Sequence, residues 1–234
     1  MSAASSKSAY LHGIVVCVPF VLVAMPFGLL FGVVGAEAGL DLLQVMAFST
    51  VVIAGAAQFT AVQLMTEAAP IALVLLSALA VNMRMMMYSA SLQPHVGRAA
   101  LWQRVLIAYT TFDNTYAISM STFDDAPSHT TREKAWFFLG TATPMVPAWI
   151  ASTWIGAVLG TNIPDAWAIE FAMPVLFLSL IGPALRSLAH IAAALTAIVL
   201  ALAFAWLPFN LGLIVAALPA MAVGAELERR GFGR

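Results

Sequence analysis

The sequence predicts an all-α protein, a polytopic bundle of membrane helices with seven or eight segments. Two observations carry this prediction. Hydrophobic residues make up 62% of the 234 positions and charged residues only 9%, far below the roughly 25% charged residues of an average soluble domain. The apolar runs are also continuous, which favours helices over barrel strands, because barrel strands alternate apolar and polar residues over about ten positions.

Charge-free windows of about 20 residues define the candidate spans. In chain order they are residues 14–36, 42–66, 71–92, 105–120, 135–160 and 166–185. The fourth window is the most polar, and it either crosses fully or dips into the membrane and returns. Residues 187–225 contain no Asp, Glu, Lys or Arg and are long enough for two short spans hinged at residues 206–210.

The whole chain, residues 1–234, is interpreted as a single integral membrane transporter domain. A short polar N-terminal tail at residues 1–12 and a basic C-terminal tail at residues 227–234 flank the apolar windows. Positive charge accumulates on cytoplasmic loops. If the fourth window dips in and returns, the basic residues on both sides of it are cytoplasmic, and the N-terminus is then expected outside.

Helix-breaking residues interrupt several windows. Proline removes one backbone hydrogen bond, and in lipid the freed carbonyl needs an internal partner or a water-lined cavity. Transporters use such discontinuous helices to expose backbone groups to a substrate. We therefore predict backbone breaks near a transport site, with simple kinking as the alternative. The predicted positions are Pro26, Gly28, Gly55, Pro144 and Pro147.

A low-similarity internal repeat is suggested by the two pairs of prolines. Pro19 and Pro26 in the first half, and Pro144 and Pro147 in the second, are each followed by glycines, an Asp-bearing turn and another apolar window.

Arg84 lies within an apolar run, VNMRMMMYSASL, that has no other charge until Arg98. An arginine at the centre of a membrane helix costs roughly 2.5–3.5 kcal/mol on translocon scales. On a helix ending near Leu92, Arg84 would lie about 12 Å from that end, too far for its side chain to reach the interface. We therefore expect Arg84 to face protein or water.

Asp113, in the polar stretch FDNTY, is the charge expected to pair with Arg84. Each charge alone would be costly at membrane depth. The functional hypothesis gives Asp113 the coupling proton or a substrate ammonium group, and gives Arg84, or backbone N–H groups at the helix breaks, the substrate carboxylate. A purely structural pair, or an Asp113 at the water boundary, is the alternative. The polar lining of the substrate or ion site is predicted to be completed by Gln58, Asn82, Tyr88 and Asn114.

The sequence argues against several other classes of function. The net charge is −1 and no basic block is present, so no nucleic-acid partner is expected. The four histidines are far apart without metal-ligand spacing, and no nucleophile is accompanied by an orienting acid and base. We therefore predict no metal, no cofactor and no enzymatic activity. No phosphate-binding loop is present, so ATP would require another subunit.

Four motifs in order resemble the AzlC family, the large subunit of bacterial branched-chain amino acid exporters. They are PFGLLFG at residues 26–32, AGAAQF at 54–59, NMRMMMYSASL at 82–92 and FDNTYA at 112–117, and the resemblance covers essentially the whole chain. The sequence departs from the family at Ala57, Met85, Phe112 and Asn114, where serine, histidine, threonine and glutamate are usual.

The resemblance implies a multi-pass protein of the bacterial inner (cytoplasmic) membrane that exports small apolar, branched-chain amino acids. It also implies a small AzlD-like membrane subunit as partner in a two-component permease. We expect a secondary transporter coupled to protons. An uncoupled channel-like exporter and a non-transporting membrane assembly subunit are the alternatives. The sequence leaves open the substrate, the coupling ion, the direction of transport, the orientation and self-association into a homo-oligomer.

Overall fold

Helices form the regular structure of the residues that the structure, a computed structural model, describes. These are residues 3–125, 130–160, 185, 187–207 and 211–232, and no strand occurs among them, which confirms the all-α prediction. The predicted span at 166–185 lies outside the described residues except for Leu185. The chain divides into two compact units, Met1–Val62 with Ala78–Ile163, and Gln63–Ser77 with Pro164–Arg234.

The helices differ widely in length. In chain order they are α1 (Ala3–Glu37), α2 (Leu42–Val51), α3 (Gly55–Thr66), α4 (Ile71–Val96), α5 (Leu101–Tyr109), α6 (Asp113–Asp125), α7 (Thr131–Gly160), α8 (Leu188–Ala203) and α9 (Leu211–Leu227). Of the helices in the described part of the chain, α1, α4 and α7 are long and apolar enough to cross a membrane.

The long helices α1 and α7 are continuous through their prolines. Helix α1 contains Pro19 and Pro26, and α7 contains Pro144 and Pro147. The breaks predicted at Pro26, Gly28, Pro144 and Pro147 are therefore wrong. The physical reason is packing, because a proline removes only one hydrogen bond while α1 and α7 contact each other along their length. Helix α1 also begins at Ala3, so most of the predicted polar tail at residues 1–12 is helical.

Helices α1 and α7 pack in parallel. In the first half of each helix, the Tyr10 hydroxyl and the Thr143 Oγ1 are 2.8 Å apart. Further along, Gly32 lies directly against the backbone of Thr153, and Gly156 lies against the backbone of Leu29. Residue numbers increase in the same direction on both helices, so both helices begin at the same end of the first unit.

The second predicted span, residues 42–66, is two helices rather than one. Helix α2 ends at Val51 and α3 begins at Gly55. The break at residues 52–54 falls directly before Gly55, where the sequence predicts one. Each piece is about 15–18 Å long at 1.5 Å per residue, so neither can cross a membrane alone.

Helices α2 and α3 form a hairpin that returns toward the end it came from. Helix α2 starts beside the end of α1, where Val45 packs on Gly35. The Phe48 ring of α2 and the Phe59 ring of α3 both contact the ring of Phe31 on α1, at centroid distances of 6.3 and 5.6 Å. The break lies deeper than this shared level, so the prediction of a full crossing at residues 42–66 is wrong.

Helices α5 and α6 form a second hairpin, as one of the two sequence interpretations expected. Asp113, at the start of α6, contacts Arg84 in the middle of α4. Phe123, near the end of α6, contacts His95 at the end of α4, with ring centroids 5.3 Å apart. Helix α6 therefore runs parallel to the second half of α4, and α5, which connects the two in sequence, must run in the opposite direction.

The tips of the two hairpins meet. The Tyr109 hydroxyl, at the end of α5, donates a hydrogen bond to the carbonyl oxygen of Thr50, at the end of α2. The first hairpin follows α1 and the second follows α4, and they enter from opposite ends. A long helix followed by a broken hairpin thus occurs twice with inverted orientation. The repeat predicted between residues 19–48 and 144–173 stays a prediction, because its second copy extends beyond residue 160, outside the described part.

The N-terminus lies at the same end of the first unit as four basic residues, which we call the basic end. They are Arg98, Arg104, Arg132 and Lys134. The Tyr10 ring of α1 contacts the Trp136 ring of α7 at a centroid distance of 5.9 Å. The prediction that the N-terminus lies on the other side from these residues is therefore wrong. The positive-inside rule assigns this end to the cytoplasm, and Lys7 agrees with that assignment.

Single-cysteine labelling checks this topology. We expect cysteines at Ser8, Ala100 and Thr131 to react with a membrane-impermeant maleimide from one side, and a cysteine at Glu37 from the other. Cys17, the only native cysteine, is fully buried and should stay silent. If α2–α3 crossed the membrane, Ser8 and Ala100 would be labelled from opposite sides. If α5–α6 crossed it, Ala100 and Thr131 would be labelled from opposite sides. Either separation would contradict the hairpins.

The described part of the second unit contains an antiparallel pair of helices. Helices α8 and α9 fulfil the prediction of two short segments within residues 187–225. Gly212 lies on the carbonyl of Phe204, and Gly224 packs near Ala193. A final turn, Glu228–Phe232, follows α9, and Glu228 reaches back to His190 at 3.4 Å.

Candidate functional site

Arg84 and Asp113 form an ion pair at the tip of the second hairpin. The Arg84 Nη2 and the Asp113 Oδ2 are 3.1 Å apart, with side chains 31% and 44% exposed, which confirms the predicted pairing. Helix α4 has 26 residues and continues through Pro94 to Val96, so Arg84 lies about 18 Å from its end. This is deeper than the sequence window indicates. The pair is central in depth yet open on one side.

Three further features of α4 and α6 hold Asp113 in place. Its Oδ1 accepts a hydrogen bond from the Tyr88 hydroxyl at 2.9 Å. The Tyr88 ring stacks on the Tyr116 ring, with centroids 4.1 Å apart and an angle of 11° between planes, and the Tyr116 hydroxyl donates to the Ser91 Oγ at 3.1 Å. Asp113 is also the first residue of α6, where the helix dipole favours a negative charge.

Gln58 stabilises the tip of the first hairpin. Its side chain is buried, and its Nε2 donates to the carbonyl oxygens of Phe48 at 2.8 Å and Val52 at 2.6 Å. These carbonyls lie at the C-terminal end of α2, where backbone acceptors lack helical partners. Gln58 therefore compensates for the break, which is a structural role. Its Oε1 is buried and has no partner in the described residues.

The two predicted asparagines occupy less defined positions. Asn82 is half-buried, and its Oδ1 has no hydrogen-bond partner among the described residues. Asn82 lies two positions before Arg84 on α4 and so faces away from it, as expected from helical spacing. Asn114 follows Asp113 in the first turn of α6 and is half-buried. In the described part of the chain, the hydrogen-bond and ion-pair partners of Arg84 and Asp113 are each other and Tyr88, and neither asparagine is among them.

A buried polar cluster on α2 and α7 was missed by the sequence reasoning. The Ser49 Oγ lies 2.8 Å from the Thr153 Oγ1 and accepts a hydrogen bond from the Trp149 Nε1 at 3.1 Å. The Trp149 ring also lies against Gly55, at the break. A signal was present, because Trp149 and Thr153 are four residues apart and so share one helical face.

The predicted residues thus separate into two groups. Arg84, Asp113 and Tyr88 are in direct contact, whereas Gln58 and Gly55 belong to the facing hairpin tip. Among the residues that the structure describes, no group of three His, Cys, Asp or Glu side chains is arranged to hold a metal.

The arrangement around Arg84 and Asp113 suits a ligand that carries both charges. A guanidinium offers a fork of N–H donors that matches a carboxylate, and a carboxylate accepts from an ammonium group. A zwitterion inserted between the two side chains would leave neither of them without a counter-charge. Asp113 can also accept a proton, which would cancel its attraction for Arg84 and for an ammonium group.

Comparison with known proteins identifies related sequences. The sequence model of the AzlC protein family matches residues 19–163, more than half of the chain. An "Uncharacterized membrane protein" of Archaeoglobus fulgidus is 27% identical over 93% of this chain and 95% of its own length. One of the same description from Helicobacter pylori (strain ATCC 700392 / 26695) is 27% identical over 74% of this chain and 73% of its own.

A third relative carries a more specific name. The "Inner membrane protein YgaZ" of Escherichia coli K12 is 23% identical over 75% of this chain and 73% of its own length. No solved structure matches the chain. The relatives are membrane proteins by name, in agreement with the three long apolar helices found among the described residues.

Proposed function

Because the chain belongs to the AzlC family, a family of membrane transport proteins, we propose that it is a secondary transporter for small apolar, branched-chain amino acids. It exports them across the bacterial inner membrane, in which it is a multi-pass protein. The single observation that carries this proposal is the Arg84–Asp113 pair at the meeting point of two broken hairpins.

The depth of this pair supports a transport site. Irregular backbone at membrane depth is tolerated where it is buried in protein or lines a water-filled cavity. Transporter sites lie near the midplane at discontinuous helices. The two hairpins enter from opposite ends and meet at the Tyr109–Thr50 hydrogen bond. A substrate at this level can be reached from either side by movement of one hairpin.

The charges suggest how substrate binds. The α-carboxylate of the amino acid binds the Arg84 guanidinium, and its ammonium group binds the Asp113 carboxylate in place of Arg84. The substrate then supplies the counter-charge for both side chains. Tyr88 keeps Asp113 in position through the hydrogen bond to Oδ1.

Proton coupling follows from the same carboxylate. A proton on Asp113 removes the acceptor for the substrate ammonium group, so proton and substrate compete for one side chain. Competition of this kind is what an exchanger requires, because each ion enters only after the other has left. Inward proton movement would then drive outward movement of the amino acid.

A small AzlD-like membrane protein is the proposed partner, so that this chain is the large subunit of a two-component permease. The proposal excludes enzymatic activity and needs no cofactor.

Efflux from proteoliposomes tests the proposal. Vesicles containing the chain, with and without the small subunit, are loaded with labelled leucine, isoleucine, valine, alanine or lysine. We expect a pH gradient to accelerate efflux of the branched-chain substrates several-fold and a protonophore to abolish the acceleration. A Glu226→Gln variant, which removes an acid of α9, serves as the matched control and should behave as wild type.

Each negative result has a distinct meaning. Efflux that ignores the protonophore would contradict proton coupling and leave an uncoupled exporter. A lack of efflux for every amino acid, with correctly assembled protein, would contradict the transport proposal itself.

A further inference from the structure

A cleft at the basic end is not used by the proposed transport site. It has a volume of about 420 Å³ and lies where the α4–α5 connection meets the starts of α5 and α7. Its polar and aromatic lining consists of Arg98, Trp102, Gln103, Thr131, Arg132 and Trp136. None of its described lining residues is Asp or Glu.

The electrostatics of this cleft are positive. Arg98 and Arg132 are exposed, and neither forms an ion pair with a described residue. The N-termini of α5 and α7 add partial positive charge. Glu133, the acid in the first turn of α7, accepts hydrogen bonds from the backbone N–H and the hydroxyl of Thr130, both at 2.8 Å.

The aromatic residues place the cleft at the membrane interface. The Trp102 and Trp136 rings contact edge to face, with centroids 5.7 Å apart, and tryptophan is enriched at the level of lipid headgroups. An apolar groove of about 310 Å³ begins at the neighbouring Leu101 and runs between α4 and α5, past Leu92 and Val105. A basic cleft and a largely apolar groove therefore lie next to each other on one short segment.

We propose that this cleft binds the phosphate of an anionic phospholipid, with Arg98 and Arg132 as its ligands. Guanidinium groups bind phosphate oxygens through paired N–H donors. Basic pockets between membrane helices on the cytoplasmic side recognise such headgroups. The amide of Gln103 supplies a further donor, since its Oε1 already accepts from the Ala100 N–H at 3.2 Å. The lipid is favoured over free phosphate because the tryptophan pair and the groove offer apolar surface.

Native mass spectrometry of the delipidated full chain tests the site. Phosphatidylglycerol and phosphatidylcholine are titrated at equal concentration. We expect wild type to bind phosphatidylglycerol at least about tenfold more tightly, a difference of about 1.4 kcal/mol. The double variant Arg98→Gln/Arg132→Gln should lose this preference, and Arg98→Lys/Arg132→Lys should keep part of it.

The control removes the same charge elsewhere. Arg229→Gln/Arg230→Gln, in the C-terminal turn, should leave the preference unchanged. Equal loss in this control, or an unchanged preference in the Arg98/Arg132 variant, would overturn the assignment. Inorganic phosphate is added in a separate arm, and displacement of phosphatidylglycerol at equal concentration would identify a free-phosphate site instead. The readout is binding, so it is independent of the transport proposal.

Discussion

Reversing either charge of the Arg84–Asp113 pair should abolish export, whereas reversing both should restore part of it. The single variants Arg84→Asp and Asp113→Arg leave two like charges facing each other near mid-depth, where wild type has an ion pair. Truncating one partner of a buried, hydrogen-bonded charge pair typically costs about 2–5 kcal/mol. Because this pair is partly exposed, we expect a cost near the lower end of that range. A cost of about 2 kcal/mol still corresponds to a more than tenfold decrease in transport.

Recovery in the double variant should be incomplete for two structural reasons. The carboxylate moved to position 84 loses the hydrogen bond from Tyr88. An arginine at position 113 places a positive charge in the first turn of α6, where the helix dipole disfavours it by about 0.3–1 kcal/mol. We therefore expect activity between that of the single variants and wild type.

Efflux rate and the amount of assembled protein are measured for all four proteins. The neutral variants Arg84→Gln and Asp113→Asn separate charge from shape, and Asp113→Asn should also remove the pH dependence of efflux. A double variant that assembles yet is as inactive as either single variant would show that the pair does not act through its mutual attraction. Full activity of Asp113→Asn would exclude Asp113 from proton coupling.

The Arg84–Asp113 pair could be predicted from the sequence because the cost of placing a charge in an apolar run depends only on that run. A charge in an apolar run is unfavourable wherever the rest of the chain lies, and the two charges had few other partners. The same reasoning identified Tyr88, which lies one turn after Arg84 on α4. It did not identify the Ser49–Trp149–Thr153 cluster, because uncharged polar residues are common in membrane helices and do not demand a particular partner.

The hairpins show where composition stops being informative. Residues 42–66 contain no charge and are long enough to cross, yet the chain turns at residues 52–54. No proline marks this turn. It depends on tertiary contacts, namely Gln58 with the carbonyl of Val52 and Ser49 with Thr153. In contrast, Pro26 and Pro144 carry a strong local signal that helix packing overrides. The predicted orientation of the N-terminus was wrong for the same reason. It depends on how many segments cross the membrane, and tertiary contacts decide that number.

Adding one methyl group to Gly32 or Gly156 should disrupt the first unit. An alanine Cβ at Gly32 would overlap the carbonyl oxygen of Thr153, and one at Gly156 would overlap the carbonyl oxygen of Leu29. Both obstacles are backbone atoms, which move only if α1 and α7 separate. Alanine is intrinsically favoured over glycine in a helix by about 1 kcal/mol, but overpacking a tight contact costs typically about 1–3 kcal/mol and occasionally more.

A third glycine serves as the control that separates the gain in helix propensity from the cost of overpacking. Gly35→Ala lies on the same helix as Gly32, and the atoms nearest to its Cβ would belong to the Val45 side chain rather than to backbone, so that side chain can shift. We expect Gly32→Ala and Gly156→Ala to lower the unfolding temperature in detergent by several degrees or to prevent assembly, while Gly35→Ala is nearly neutral.

The double variant Gly32→Ala/Gly156→Ala should be destabilised by less than the sum of the two single effects, because helices already pushed apart accommodate the second methyl group. Strict additivity, or equal stability of the Gly32→Ala and Gly35→Ala variants, would mean that α1 and α7 are not held at backbone contact. The parallel pairing on which the inverted hairpins are built would then need revision.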